Sequence, residues 1–116
     1  VESSIKSALD GESEKVHVFT HLSHVYAQGS SAYTTYVFRC GKNYEETLAR
    51  WRKIKTAASK AIVANGGTIS HQHGVGTDHA PYLEAEKTKL GMSAIRSLCD
   101  HFDPAHIMNP GKLLED

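Results

Sequence analysis

The sequence predicts an α+β fold, an antiparallel sheet with a long helix packed on it and further helices towards the C-terminus. Four stretches carry that prediction. Val16 to Ala27 and Ala32 to Cys40 are rich in β-branched and aromatic residues and flank a turn-forming Gln28-Gly29-Ser30-Ser31. Asn43 to Asn65 spaces its apolar residues with a helical period. Gly66 to Gly76 sets two pairs of glycines around two histidines, the mark of a hinged loop rather than of a continuing helix.

Val1 to Lys15 is polar apart from Ile5, Ala8 and Leu9 after the opening valine, and predicts a short helix ending near Asp10-Gly11. The two β-rich runs should pair as a hairpin carrying His17, His21, Tyr33 and Tyr36, with His24 near the end of its first strand. Asn43, with Glu46 three residues on and Glu45 beside it, makes an approximate capping box that opens the clearest helix. Leu48, Trp51, Ile54, Ala58, Ala61 and Ile62 form its apolar stripe, and Asn65-Gly66 closes it. A helix of roughly 22 residues reaches about 33 Å, enough to cross the back of a small sheet, and Trp51 should pack there. Asp78 and Pro81 start another helix, which Leu90-Gly91 should kink and Asp103-Pro104 should stop. Met92, Ile95, Leu98, Cys99 and Phe102 line up as its core-facing stripe. The residues from Ile107 to Leu113 read as a turn-rich tail. Hairpin, long helix and a short strand at Thr68-Ile69-Ser70 amount to part of a ferredoxin-like arrangement.

The glycine-histidine stretch is the chemical centre of this reading. Gly66 and Gly67 let the chain leave the helix through a left-handed turn. On the expected short strand His71 and His73 share a side and Gln72 points the other way. With a tyrosine on the neighbouring hairpin, such imidazoles can stabilise a tyrosinate and hold a phosphate. The competing reading is a tight turn with half-buried polar side chains.

Composition narrows the function classes. Thirteen acidic and thirteen basic residues cancel, which leaves no electrostatic case for nucleic acid. Two cysteines without a CxxC form no disulfide scaffold. No apolar run approaches the roughly 20 residues of a membrane span. Eight histidines in 116 residues are the compositional excess.

Several separated motifs, in order, resemble one family. Gly66-Gly67-Thr68-Ile69-Ser70-His71-Gln72-His73-Gly74-Val75-Gly76, the later Tyr82-Leu83, and the tail Asp103-Pro104 through Ile107-Met108-Asn109-Pro110-Gly111-Lys112 resemble the C-terminal part of FAD-linked oxidases of the vanillyl-alcohol-oxidase type. His21-Leu22-Ser23-His24-Val25-Tyr26 and Ser31-Ala32-Tyr33-Thr34-Thr35-Tyr36 are similar to the alkylglycerone-phosphate synthase branch and its bacterial relatives. The resemblance covers nearly all of the chain from Val16 onward. It implies a late piece of a larger flavoprotein whose FAD is bound mainly by a domain outside this chain. Residues 1–76 would be part of the cap, or substrate, domain, and residues 77–116 the helices and tail returning to the FAD domain.

Carried over by position, the resemblance makes Tyr33 the acid/base on the substrate. His71 and His73 become catalytic members of a triple-histidine motif beside the flavin, in which Gln72 replaces the middle histidine. His24 and Gln72 are expected to bind substrate, and His73, Asn109 and Lys112 to approach the cofactor; no metal is expected. A glutamine keeps hydrogen bonding but cannot exchange a proton near neutral pH. The implied reaction exchanges the acyl chain of an acyl-dihydroxyacetone phosphate for a fatty alcohol, a step of ether-lipid synthesis without net oxidation. One alternative is an FAD-linked 2-hydroxyacid dehydrogenase of the D-lactate or glycolate type, in which a glutamate usually stands where this chain has Gln72. Another is a metal-binding or interaction module built on His71 and His73 with His79 or His24. The expected partners are a lipid-like small molecule, a membrane surface touched peripherally and a second copy of the chain. The expected compartment is a bacterial cytoplasm, or a peroxisome in a eukaryote, although the end of the chain carries no peroxisomal tripeptide. This chain alone is expected to be inactive.

Overall fold

β-Branched and aromatic residues build a two-stranded antiparallel ribbon from β1 (Val16–Tyr26) and β2 (Gly29–Phe38). The computed structural model describes residues 1–114. These fall into two compact units, Val1–Ala61 and the described residues from Ile62 onward, and the boundary lies in the last turn of the long helix.

In the first unit, α1 (Glu2–Ser7), a short 3-10 turn (Asp10–Glu12), the ribbon and α2 (Tyr44–Ala64) follow in order. The strands match the expected hairpin, but the connection is tighter than Gln28 to Ser31 suggested. Tyr26 pairs with Gly29, so only Ala27 and Gln28 lie between the strands. Register partners Val16↔Phe38 and Val18↔Tyr36 share one face at the base of the ribbon. Ile5 of α1, Leu9 just beyond it, and Ile54 and Ala58 of α2 close over the two valines as a single core. Ile54 and Ala58 are four residues apart and therefore on one face of α2. Beyond that base the ribbon is bare: Leu22 and Val25 are 67% and 77% exposed.

α2 is capped as its sequence predicts. Glu46 N–H donates to Asn43 Oδ1 (2.8 Å), and Lys42 N–H donates to Glu46 Oε2 (2.7 Å). Its buried residues include one charge, Arg50. The guanidinium reaches Glu46 Oε1 (2.9 Å), Glu14 Oε1 (3.4 Å) and the Arg39 carbonyl (2.9 Å). Nε lies 3.2 Å from Glu12 Oε2 but off the line of a hydrogen bond. Lys53 also bonds Glu12, and this bond above all holds the Glu12 carboxyl below the usual glutamate range.

In the second unit the chain leaves α2 as expected. Gly67 N–H donates to the Ile62 carbonyl (2.9 Å) and Gly66 N–H to Val63 (3.0 Å), with Gly66 at φ +68°. That is a Schellman closure, which needs a left-handed residue where glycine stands. The expected strand at Thr68-Ile69-Ser70 does not form. The described residues contain a single two-stranded sheet, made by β1 and β2, and this stretch does not join it. Ile69 is buried instead, and its N–H donates to Glu86 Oε2 (3.0 Å).

α3 (Ala80–Phe102) begins with Pro81 in its first turn. It breaks at Thr88 (φ 64°, ψ 166°), not at Leu90-Gly91. Such a backbone costs a β-branched residue about 1–3 kcal/mol. The stripe expected to be core is largely outside. Leu98 and Phe102 are 59% and 76% exposed, and Met92, Ile95 and Cys99 are half-buried. Ala80 and Leu83, before the break, are buried. Asp103 ends the helix and organises the tail: its carboxylate accepts the N–H groups of Ile107 (3.2 Å) and Met108 (2.8 Å). No helix among the described residues is long and apolar enough to cross a membrane.

Candidate functional site

The site residues expected from sequence divide between the two units. Tyr33 and His24 belong to the first; His71, Gln72, His73, Asn109 and Lys112 belong to the second.

On the ribbon, register decides which side chains share a face. His21 pairs with Tyr33 and Leu22 with Ala32, but His24 pairs with Ser31, so Ser23 is an extra residue in β1. Tyr33 and Ser31 are two apart on β2 and point the same way. His24, opposite Ser31, therefore joins Tyr33 and His21 on one face. Without the bulge it would lie on the other. The same alternation adds His17, Phe19 and Tyr26, so this face is a ladder of imidazole and aromatic rings. Ring centroids are 5.8 Å apart for His17 and Phe19, 5.2 Å for His21 and Tyr33, and 6.3 Å for His24 and Tyr26. Ser23 Oγ lies 3.0 Å from His24 Nδ1. The sequence reading selected Tyr33 and His24 and passed over His21. Its signal was the strand pairing, which places it directly opposite Tyr33.

In the second unit, Ser70 Oγ donates to the Gly74 carbonyl (2.6 Å) and so closes a small loop around His71, Gln72 and His73. Gly74 turns it at φ +79°, where a side chain would be strained. All three enclosed side chains are exposed. They sit on a bend and not on a strand, so the alternation expected of His71 and His73 does not apply. At the far side of the loop, Leu113 N–H donates to the Gly76 carbonyl (3.1 Å). This bond holds Lys112, the residue before Leu113, close to the loop. Asn109 is exposed, with φ 49°, and Lys112 Nζ donates to the Pro110 carbonyl (3.4 Å). Below the loop, Glu86 receives Ile69, and the Lys87 ammonium and then the Ile69 N–H hold its carboxyl below the usual glutamate range.

The side chains of His71, His73 and Lys112 are exposed, and the space where a Gly74 Cβ would project is open to 4 Å. These features fit the polar edge of a flavin. In the first unit, a groove of about 500 Å³ is lined by Ala8, Arg52, Lys53, Thr56, Ala57 and Lys60 and contains none of the site residues. No three His, Cys, Asp or Glu side chains among the described residues come together as a metal site.

Comparison with known proteins agrees with the motifs. The family of FAD linked oxidases, C-terminal domain, matches residues 3–113. The alkyldihydroxyacetonephosphate synthase of Dictyostelium discoideum is 33% identical over 97 residues, 84% of this chain and 16% of that protein. That of Trypanosoma brucei brucei is 28% identical over 114 residues, 98% of this chain and 18% of that protein. Glycolate oxidase subunit GlcD of Bacillus subtilis (strain 168) is 52% identical over 48 residues, 41% of this chain and 10% of that protein. The chain thus spans 16% and 18% of the length of the two synthases. FAD is the cofactor that the family implies. By a match across almost its whole length, the chain belongs to the FAD-linked oxidases, of which it is a C-terminal domain.

Proposed function

We propose that this chain is the substrate-facing part of an alkylglycerone-phosphate-synthase-like enzyme. The carrying observation is the ribbon face on which one bulge gathers His24 with Tyr33. Support comes from synthases that align with 84% and 98% of the chain. In this reading residues 1–76 form part of the cap and residues 77–116 return towards the FAD domain.

Tyr33 takes a proton from carbon 1 of an acyl-dihydroxyacetone phosphate and later returns it. The carboxylate leaves as a fatty acid, and the oxygen of a fatty alcohol takes its place on that carbon. The alcohol proton balances the exchange, and there is no net oxidation. Bound FAD supplies an electrophilic ring for the reacting carbon. His24 and Gln72 hold the polar end of the substrate, His71 and His73 steady developing charge, and His73, Asn109 and Lys112 face the cofactor. A lipid-like substrate calls for peripheral contact with a membrane, and a homodimer is part of the proposal. The compartment is a bacterial cytoplasm, or a peroxisome in a eukaryote.

The second reading, a 2-hydroxyacid dehydrogenase, is favoured by the 52% identity to the GlcD segment. Gln72 weighs against it where that chemistry relies on a carboxylate at this position. Full-length, FAD-loaded protein separates the two. Exchange of labelled fatty alcohol into acyl-dihydroxyacetone phosphate, with flavin absorbance unchanged at the end of turnover, is the expected result. Bleaching of the flavin by D-lactate or glycolate, without exchange, overturns it.

A further inference from the structure

The exposed half of the ribbon holds one pair of rings with more care than its exposure requires. His21 and Tyr33 are register partners whose rings stack at 5.2 Å with 28° between their planes. His17 with Phe19 and His24 with Tyr26 are ring contacts within one strand, whereas this one spans the two. The adjacent pair Thr20↔Thr34 is tied on the opposite face by an Oγ1 to Oγ1 hydrogen bond of 3.0 Å. On the other side, beyond the bulge, Ser30 Oγ donates to the His24 carbonyl at 2.7 Å. Register is therefore secured on both flanks of the pair. A slip by one residue would carry Tyr33 to the other face.

Core packing does not hold Tyr33 in place, because the side chain lies outside the buried cluster and is 43% exposed. A phenol on a bare ribbon samples several rotamers, and each sends its hydroxyl in a different direction. An aromatic neighbour stacked on its face removes part of that freedom and contributes about 0.5–1.5 kcal/mol beyond simple burial.

We propose that His21 is a positioning residue for Tyr33: its imidazole stacks on the phenol and fixes where the hydroxyl points. This rests on the reading of Tyr33 as the acid/base. The effect works through the ring face, so an aromatic ring without nitrogen serves in its place. A base misaligned by an ångström loses rate while substrate binding, made elsewhere, persists. The signature is accordingly in kcat and not in KM.

The test uses the full-length protein with FAD bound. His21→Ala should lower kcat on the order of tenfold and leave KM and FAD content within about twofold. His21→Phe should restore kcat to within about threefold. In a Tyr33→Phe background, His21→Ala should cause no further loss. Independently of activity, 3-fluorotyrosine at position 33 should report the pair by ¹⁹F NMR. Its resonance should move on His21→Ala and return towards wild type in His21→Phe. Wild-type kcat in His21→Ala, while Tyr33→Phe is inactive, overturns the positioning role alone. His21→Phe as slow as His21→Ala overturns the ring-face mechanism, and a loss confined to FAD content or melting temperature overturns the role as well. Normal turnover in Tyr33→Phe brings down the acid/base reading on which the proposal stands.

Discussion

The backbone N–H of Leu113 donates to the carbonyl of Gly76 at 3.1 Å, tying the tail to the loop that carries His71, Gln72 and His73. Leu113 makes this bond from φ 69°, a conformation that proline cannot adopt, and proline also lacks the donor. Leu113→Pro in the full-length protein should therefore free the tail. Limited proteolysis should cut near residues 109–113 several times faster than in wild type, and FAD content should fall. Unchanged cleavage and full FAD content would show that the bond does not hold this arrangement.

Arg50 is the centre of the polar knot in the first unit, with Glu12, Glu14 and Glu46 around its buried guanidinium. Removing the cation leaves three carboxylates together and the Arg39 carbonyl without its donor. Arg50→Ala should destabilise by about 2 kcal/mol or more, towards the lower end for a buried pair because the carboxylates are partly exposed. Arg52→Ala, two residues on and exposed, should stay within about 0.5 kcal/mol. Denaturant melts of the two variants check the contrast.

Glu86 gives the second unit a defined response to acid. Lys87 and the Ile69 N–H hold its folded pKa below the ordinary glutamate value. A depressed carboxylate contributes stability that is present above the unfolded value, near 4.3, and lost as pH falls through the folded one. Exchange protection of the Ile69 amide should thus decline as pH is lowered from about 5 to about 3. Glu86→Gln should show low protection throughout and little dependence on pH in that window. A wild-type protection profile in Glu86→Gln would mean that other contacts hold Ile69.

The hairpin and α2 were legible because their signals are local: β-branched runs around a turn, Asn43 with Glu46, and a glycine at the helix end. The failures came from relationships between elements. Thr68-Ile69-Ser70 has β propensity but pairs with no strand among the described residues, and propensity alone makes no strand. Met92 to Phe102 has a core-like period, yet Leu98 and Phe102 face outward, since periodicity names a face and not what covers it. Gly91 drew the expected break, whereas Thr88 takes it against its own preference. At the site, Tyr33 and the histidine pair stood out by residue type. His21 did not, because its meaning lies in register, and the Ser23 bulge that puts His24 on the same face leaves no mark in composition.

Tyr33→Phe is the sharpest test of the proposed chemistry. It removes one oxygen from a side chain that is 43% exposed and leaves the ring that stacks on His21, so folding and FAD content should be near wild type. If the hydroxyl is the acid/base, turnover should fall on the order of a hundredfold or more. Gln72→His provides the counterpart. Gln72 is exposed on a loop closed by Ser70 and Gly74, and its backbone does not take the positive φ that resists a larger side chain. An imidazole there should be tolerated and turnover should hold or rise. His73→Ala, which removes a ring donor from the same loop, should weaken both substrate binding and rate. The three variants together separate a proton transfer at Tyr33 from a charge effect of the loop: the former predicts a deep loss in Tyr33→Phe alone at unchanged KM. Near-normal exchange in Tyr33→Phe with FAD bound would assign the proton to another group, and the ribbon face would then be a binding wall and not the base.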